Sequence, residues 1–271
     1  MRRILLADAT PPPTIYYTTT DGVQIGDSDT RLSSHIVSHT QEDDGEFMII
    51  LNKSMKEIPD QCFYQQSTLS SIRFENMENV TSIGDDFLYL CSDLQTIDLS
   101  PLSQVVTIGN SFLYNCSGFT NIDLSGLNQL TTIGNDFLIN CTSLQTINLS
   151  GLNQLTSIGD DFLSSCTSLT SIDLSPLRQV TSIGSYFLLA CFGLQTVNLS
   201  GLSKVTSIGD YFISYCFDLQ TLTMPNTTGI TSIGDDYLSI CDALTTIYCP
   251  TGTLGFYQRL MPDYASLMVE L

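Results

Sequence analysis

Positive charge is scarce in this chain. Its 271 residues hold nine lysines and arginines against 28 acidic residues, a formal charge of −19. Between Thr81 and Pro250 the only basic residues are Arg178 and Lys204. Such a surface repels phosphate backbones and anionic membrane surfaces, so neither nucleic acid nor a lipid headgroup is an expected partner. The same charge keeps a long chain soluble and monomeric. Long apolar runs are also missing, which excludes a membrane-inserted helix. The run Ile4–Ala7 behind Arg2 and Arg3 is too short for a secretory signal. Histidine is limited to His35 and His39. Their four-residue spacing suits a metal only on a helix, and the segment reads as strand and loop. Serine and aspartate recur without a histidine or lysine beside them, so no nucleophile has a base, and catalysis is not expected. No Cys-x-x-Cys pair exists, and no zinc site or other cofactor is expected.

What the chain does have is a period. Cysteines stand at 91, 116, 141, 166, 191, 216 and 241, and glycines at 84, 109, 134, 159, 184, 209 and 234, each 25 residues after the last. A fixed step without insertion over seven copies means one supersecondary unit stacked on itself. A repeat array makes a long regular surface, which favours recognition over chemistry.

One clean copy runs from Thr156 to Ser175. Leu169, Ile172 and Leu174 form an LxxLxL core. A short strand at Ser171–Leu174 points Ile172 and Leu174 inward by the two-residue alternation. Gly159 is read as permitting a turn and Asp160 as the N-cap of a short helical turn. On that turn Phe162 and Cys166, four apart, share the buried face. The seven cysteines form a ladder of small buried side chains.

Four segments follow. Residues 1–13 form a flexible leader, stiffened at its end by Pro11–Pro13. Residues 14–55 carry two β-rich stretches and an Asp21-Gly22 turn signal, and read as an N-terminal β cap. Residues 56–250 hold about eight repeats, the first degenerate. Residues 251–271 break the period; Leu254, Tyr257, Leu260 and Met261 pack as a helical C-terminal cap.

The copy TSIGDDFLSSCTSLTSIDLS, with glycine, an aromatic, cysteine and LxxIxL in that order, resembles the leucine-rich repeat of BspA-like surface proteins. Residues 15–22 and 251–265 are similar to that family's leading strand and closing helix. The resemblance covers about residues 14–271. It implies an α/β solenoid, a right-handed leucine-rich repeat array with a parallel sheet on one face and short helical turns on the other. It also implies adhesin-like binding of host or neighbouring-cell proteins at a cell surface or outside the cell. The alternative function is a structural spacer or assembly component of a cell surface or virion appendage.

Two surfaces are candidates for a protein partner. The sheet face presents a polar row, Asp98, Asp123, Asn148, Asp173, Asn198 and Tyr248, beside a row of threonines and serines. It reads as a hydrogen-bonding face or as a solvated face kept polar to prevent association. Asp98 and Asp123 could share a calcium ion, but Asn148 interrupts the row and no calcium-loop motif is present. The opposite face varies at its exposed positions and gathers large residues in two neighbouring repeats: Tyr186, Phe192, Tyr211, Tyr215 and Phe217. Clustered exposed aromatics are the usual anchors of interfaces, unless they tuck between coils as local packing.

Overall fold

The computed structural model describes residues 11–271, so the first ten residues of the expected leader lie outside it. Residues 57–249 wind through eight coils, and each coil contributes one strand to each of two parallel ladders, of which the one of longer strands is interrupted between Thr96–Asp98 and Asn121–Asp123 and between Thr146–Asn148 and Ser171–Asp173. One ladder is made of strands such as Asn121–Asp123, Thr146–Asn148, Ser171–Asp173 and Thr196–Asn198. The other is an eight-stranded sheet of two-residue strands, from Glu57–Ile58 to Ser232–Ile233. Register is fixed at 25 residues: Ile172 pairs with Val197 and Ile158 with Ile183. A one-residue slip would turn every isoleucine of these strands to solvent.

Inside, each residue type forms its own column. Phe87, Phe112, Phe137, Phe162, Phe187 and Phe212 stack with ring centroids 5.2–5.5 Å apart and are almost fully buried. That spacing is close to the strand-to-strand distance of a sheet, so the coil pitch itself sets the stack. All nine cysteines are free and buried. From Cys91 to Cys241 each ladder thiol donates to a carbonyl of the coil below, as Cys166 Sγ does to Leu138 at 3.2 Å and Cys191 Sγ to Leu163 at 3.1 Å. Cysteine here fills volume and also gives a weak S–H bond to a buried carbonyl.

The segment expected to be a helical turn is not helical. In every coil three alternate residues have positive φ: Asp161 at 58°, Leu163 at 56° and Ser165 at 61° in the clean copy. A left-handed residue costs about 1–2 kcal/mol unless it is glycine. The conformation is stabilised because it turns the amides out of the coil, toward its neighbours. Asp161 and Ser165 donate upward to the carbonyls of Ser185 (2.8 Å) and Leu189 (2.7 Å), and Leu163 donates downward to Phe137 (2.9 Å). A helix would close these bonds within one coil; the solenoid spends them between coils. Phe162 and Cys166 are both buried, as expected, although no helix places them there.

Two further expectations change. Asp160 does not cap a helix. Its carboxylate accepts the amide of Ser185 at 2.8 Å, while its own amide donates to Asn135 Oδ1 at 2.9 Å. The same rung joins Asp60, Asp85, Asn110 and Asn135 in the lower coils. Gly159 does not adopt a positive φ either. It is required because a Cβ there would lie 2.6 Å from both Asn135 Oδ1 and the Gly134 carbonyl. The glycine column is the line of closest backbone approach between coils.

Both ends of the array are closed. At the N-terminus β1 (Thr14–Thr19) lies antiparallel between β3 (Phe47–Leu51) and the first repeat strand Leu69–Glu75, with β2 (Ile36–Gln41) outside β3. It therefore extends the repeat sheet while reversing its direction. At the C-terminus α1 (Leu254–Leu260) and a 3-10 turn (Pro262–Leu267) cross the last coil. The closing strand Met268–Glu270 pairs parallel to Thr246–Cys249. Tyr257, fully buried, donates its hydroxyl to the Pro225 carbonyl at 2.8 Å. Tyr264 packs on Tyr237, which replaces phenylalanine in the last coil.

Gly159→Ala should destabilise the fold by ~2 kcal/mol or more, because the backbones must separate to admit the methyl group. Ala190→Gly, at a left-handed position, should cost less than ~0.5 kcal/mol or raise stability, whereas in a helix it would cost ~1 kcal/mol. Urea unfolding of the two variants checks both. Burial pushes the Cys91, Cys141 and Cys191 thiols up to about 12. A maleimide reagent at pH 8 should leave them unlabelled in the folded chain and label all after denaturation; rapid labelling of the folded chain would contradict the ladder.

Candidate functional site

The expected aromatic cluster assembles on the loop face. Tyr186 stacks on Tyr211 with centroids 5.3 Å apart and planes at 10°, and Phe192 stacks on Phe217 at 5.0 Å and 24°. Tyr186, Phe192, Tyr215 and Phe217 are each about two-fifths exposed, and Tyr211 is half-buried between them. The rings therefore pack on each other along the coil direction while keeping their outer faces in water. A hydrogen bond to the Asp236 carboxylate raises the Tyr211 phenol above its usual value. Ile240, beside this patch in sequence register, is also exposed.

Three of the five anchors sit where the backbone makes aromatics expensive. Tyr186, Tyr211 and Tyr215 have φ of 60°, 54° and 59°. The equivalent positions in the other coils are filled largely by short polar residues such as Asp86, Ser111, Asn115, Asp136, Asn140, Asp161 and Ser165. Asp and Asn tolerate this region best. Their recurrence at two positions four apart in one segment was the sequence signal for a left-handed turn.

A second stack was not anticipated. Tyr64, Tyr89 and Tyr114 pile up at the other end of the same face, with centroids 5.0 and 4.6 Å apart. Their 25-residue spacing was visible, but their register carries non-aromatic residues from Ile139 onward. Burial, followed by the neighbouring phenols Tyr114 and Tyr64, raises the Tyr89 phenol.

The polar sheet row is exposed, except Tyr248, which is half-buried. Its side chains are already engaged. Asp98, Asp123, Asn148, Asp173 and Asn198 each accept, through Oδ1, the backbone amide two residues on, at 2.8–3.1 Å. These are turn-closing bonds at the end of each strand. Asn148 also donates to Asp123 Oδ1 at 3.0 Å, so the carboxylate meets its neighbour through an amide. Among the described residues no group of three or more His, Cys, Asp or Glu is placed to hold a metal ion.

His39 has a defined task in the N-terminal cap. Its Nδ1 lies 2.6 Å from Asp27 Oδ1 and its Nε2 lies 2.7 Å from the Tyr17 hydroxyl, which accepts the Ile25 amide at 3.0 Å. The connectivity is that of a proton relay. Tyr17 is fully buried and its oxygen is saturated, so the chain of bonds pins the segment 25–27 onto the cap and reaches no substrate.

A row of carboxylates runs along the loop face below the aromatics. Burial, then repulsion from Asp136, pushes the Asp161 carboxyl up to about 6, and burial with repulsion from Asp160 and Asp86 raises Asp136. A carboxyl raised in the folded state stabilises the fold below its unfolded value, near 4, and that contribution is lost as pH rises through about 6. Asp161→Asn should therefore raise the melting temperature at pH 7.5 and give no gain at pH 3.5. An equal shift at both values would show that charge is not the cause.

The sequence matches the family model described as a BspA type leucine rich repeat region in six copies, over residues 47–154 and 131–260. Among solved structures the chain is similar to the T. pallidum leucine rich repeat protein, at 21% identity and a TM-score of 0.56, covering 78% of this chain and 89% of that one. It is also similar to a leucine-rich repeat protein from Bacteroides ovatus, at 20% identity and a TM-score of 0.49, covering 86% and 67%. A search of curated proteins found no match.

Proposed function

The chain belongs to the BspA-type leucine rich repeat family, and we propose that it is a non-catalytic protein-recognition module of adhesin-like character, acting at a cell surface. The observation that carries this reading is the exposed aromatic patch built at a backbone cost. Leucine-rich repeat proteins generally serve as protein-interaction scaffolds. Here the buried columns are nearly invariant from coil to coil, while the loop face changes from short polar residues to Tyr186, Phe192, Tyr211, Tyr215 and Phe217 in two adjacent coils. A left-handed tyrosine costs more than a left-handed aspartate, and strain held at exposed positions points to a use for the side chain. Pre-stacked rings lose little conformational freedom when a partner covers them, which suits them as anchors. The polar sheet row is spent on its own turns and supports a lesser role.

The triple variant Tyr211→Ser, Tyr215→Ser, Phe217→Ser should lose at least tenfold in affinity for the partner captured by the intact chain, about 1.4 kcal/mol or more. Its unfolding midpoint should fall little, because the changed side chains lie outside the buried columns. Undiminished binding by a folded triple variant would remove the patch from the account.

A further inference from the structure

A groove crosses one flank of the array between the fourth and fifth repeat coils, with a volume of about 420 Å³. The loop that follows the long strand carries glycine at 126, 151 and 201 and proline at 101 and 176. There the loop rests on a serine of the coil below: a Cβ on Gly126 would lie 2.7 Å from Ser100 Cα, and one on Gly201 would lie 2.7 Å from the Ser175 carbonyl. At the same register the fifth coil has Pro176. Pro176 and Ser150 face each other across the groove as part of its lining.

The lining is unusual for this molecule. Ser150, Asn153 and Gln154 come from the lower coil and Gln179 and Ser175 from the upper one. All are neutral side chains that both donate and accept. Arg178 lies at the rim, and Lys204, one coil further up, donates its ammonium to the Gln179 side chain. These are the only two cations between Thr81 and Pro250. Among the described residues neither forms an ion pair with a carboxylate. Arg178 uses Nε to hold the Ser175 carbonyl at 3.2 Å, which orients the guanidinium and leaves its two terminal amino groups for a bidentate acceptor.

We propose that this groove binds a carboxylated saccharide, a hexuronic acid or a sugar of like chemistry, with the carboxylate on Arg178 and the hydroxyls on the serine, asparagine and glutamine side chains. The charge of the chain argues for this class. A field set by −19 charges repels a polyanion or a run of acidic residues. A ligand with one carboxylate and several neutral hydroxyls keeps the guanidinium bond and avoids most of that repulsion. The site is independent of the aromatic patch.

Isothermal titration of the full chain with methyl β-D-glucuronide, methyl β-D-glucoside, acetate and a capped Gly-Glu-Gly peptide tests the assignment. The glucuronide should bind roughly tenfold more tightly than the glucoside, as one charge-assisted bidentate contact provides. Arg178→Gln, at an exposed side chain, should abolish that preference. Pro176→Gly, which removes a ring from the groove lining, should weaken both sugars. Equal affinity for glucuronide and glucoside overturns the proposal. So does acetate or the peptide binding as tightly as the glucuronide, or a preference that survives Arg178→Gln in the folded chain.

Discussion

The backbone hydrogen bonds between coils are the constraint on which the rest of this structure depends. In most folds a turn satisfies its own amides. Here Asp161, Leu163 and Ser165 give their amides to the coils above and below, while Ser164 and Cys166 donate within the coil, and the three inter-coil donors are the residues placed in the left-handed region. A single coil would hold that strain with no compensation. Stacking supplies the compensation, so the coil is stable only as a member of a series.

The same constraint explains the exact spacing. A rung at 25 residues links Asp160 to Ser185, another at 25 links Gly159 to the backbone of its predecessor, and a third links Cys191 to Leu163. An insertion in one coil would break all of them together. Variation is therefore confined to side chains that point outward. The molecule has used this freedom in few places: a pair of aromatic stacks near the upper coils, a tyrosine stack near the lower ones, and a groove lined by Pro176 and Arg178. The proposed binding surfaces all lie at exceptions to the repeat.

Much of this was legible in the sequence, because side-chain columns copy themselves in the text. The period, the buried Phe, Cys and LxxIxL columns, the parallel strand at Ser171–Asp173 and the aromatic cluster follow from register alone. The loop conformation was not legible by that route. Phe162 and Cys166 are four apart and both buried, which is also what a helix would give. Asp160 after a glycine looks like an N-cap, yet its carboxylate bonds to a coil 25 residues away, a partner no local rule proposes. The informative clue was compositional: aspartate recurs at register 161 and asparagine at register 165, four apart, where a left-handed backbone tolerates them. The groove at Pro176 was hidden for a different reason. Its lining comes from two coils, and a sequence does not show the distance between them.

The central claim is that coil-to-coil bonds at a fixed offset hold the array together. Removing one whole coil, residues 142–166, restores every rung in register; removing residues 143–166 leaves the same core composition out of step by one, because the residue retained, Thr142, is exposed. Urea unfolding of the two deletions measures the difference directly. The account predicts a cooperative transition close to that of the full chain for the 25-residue deletion and a broad or strongly destabilised one for the 24-residue deletion. Equal midpoints for the two would contradict it.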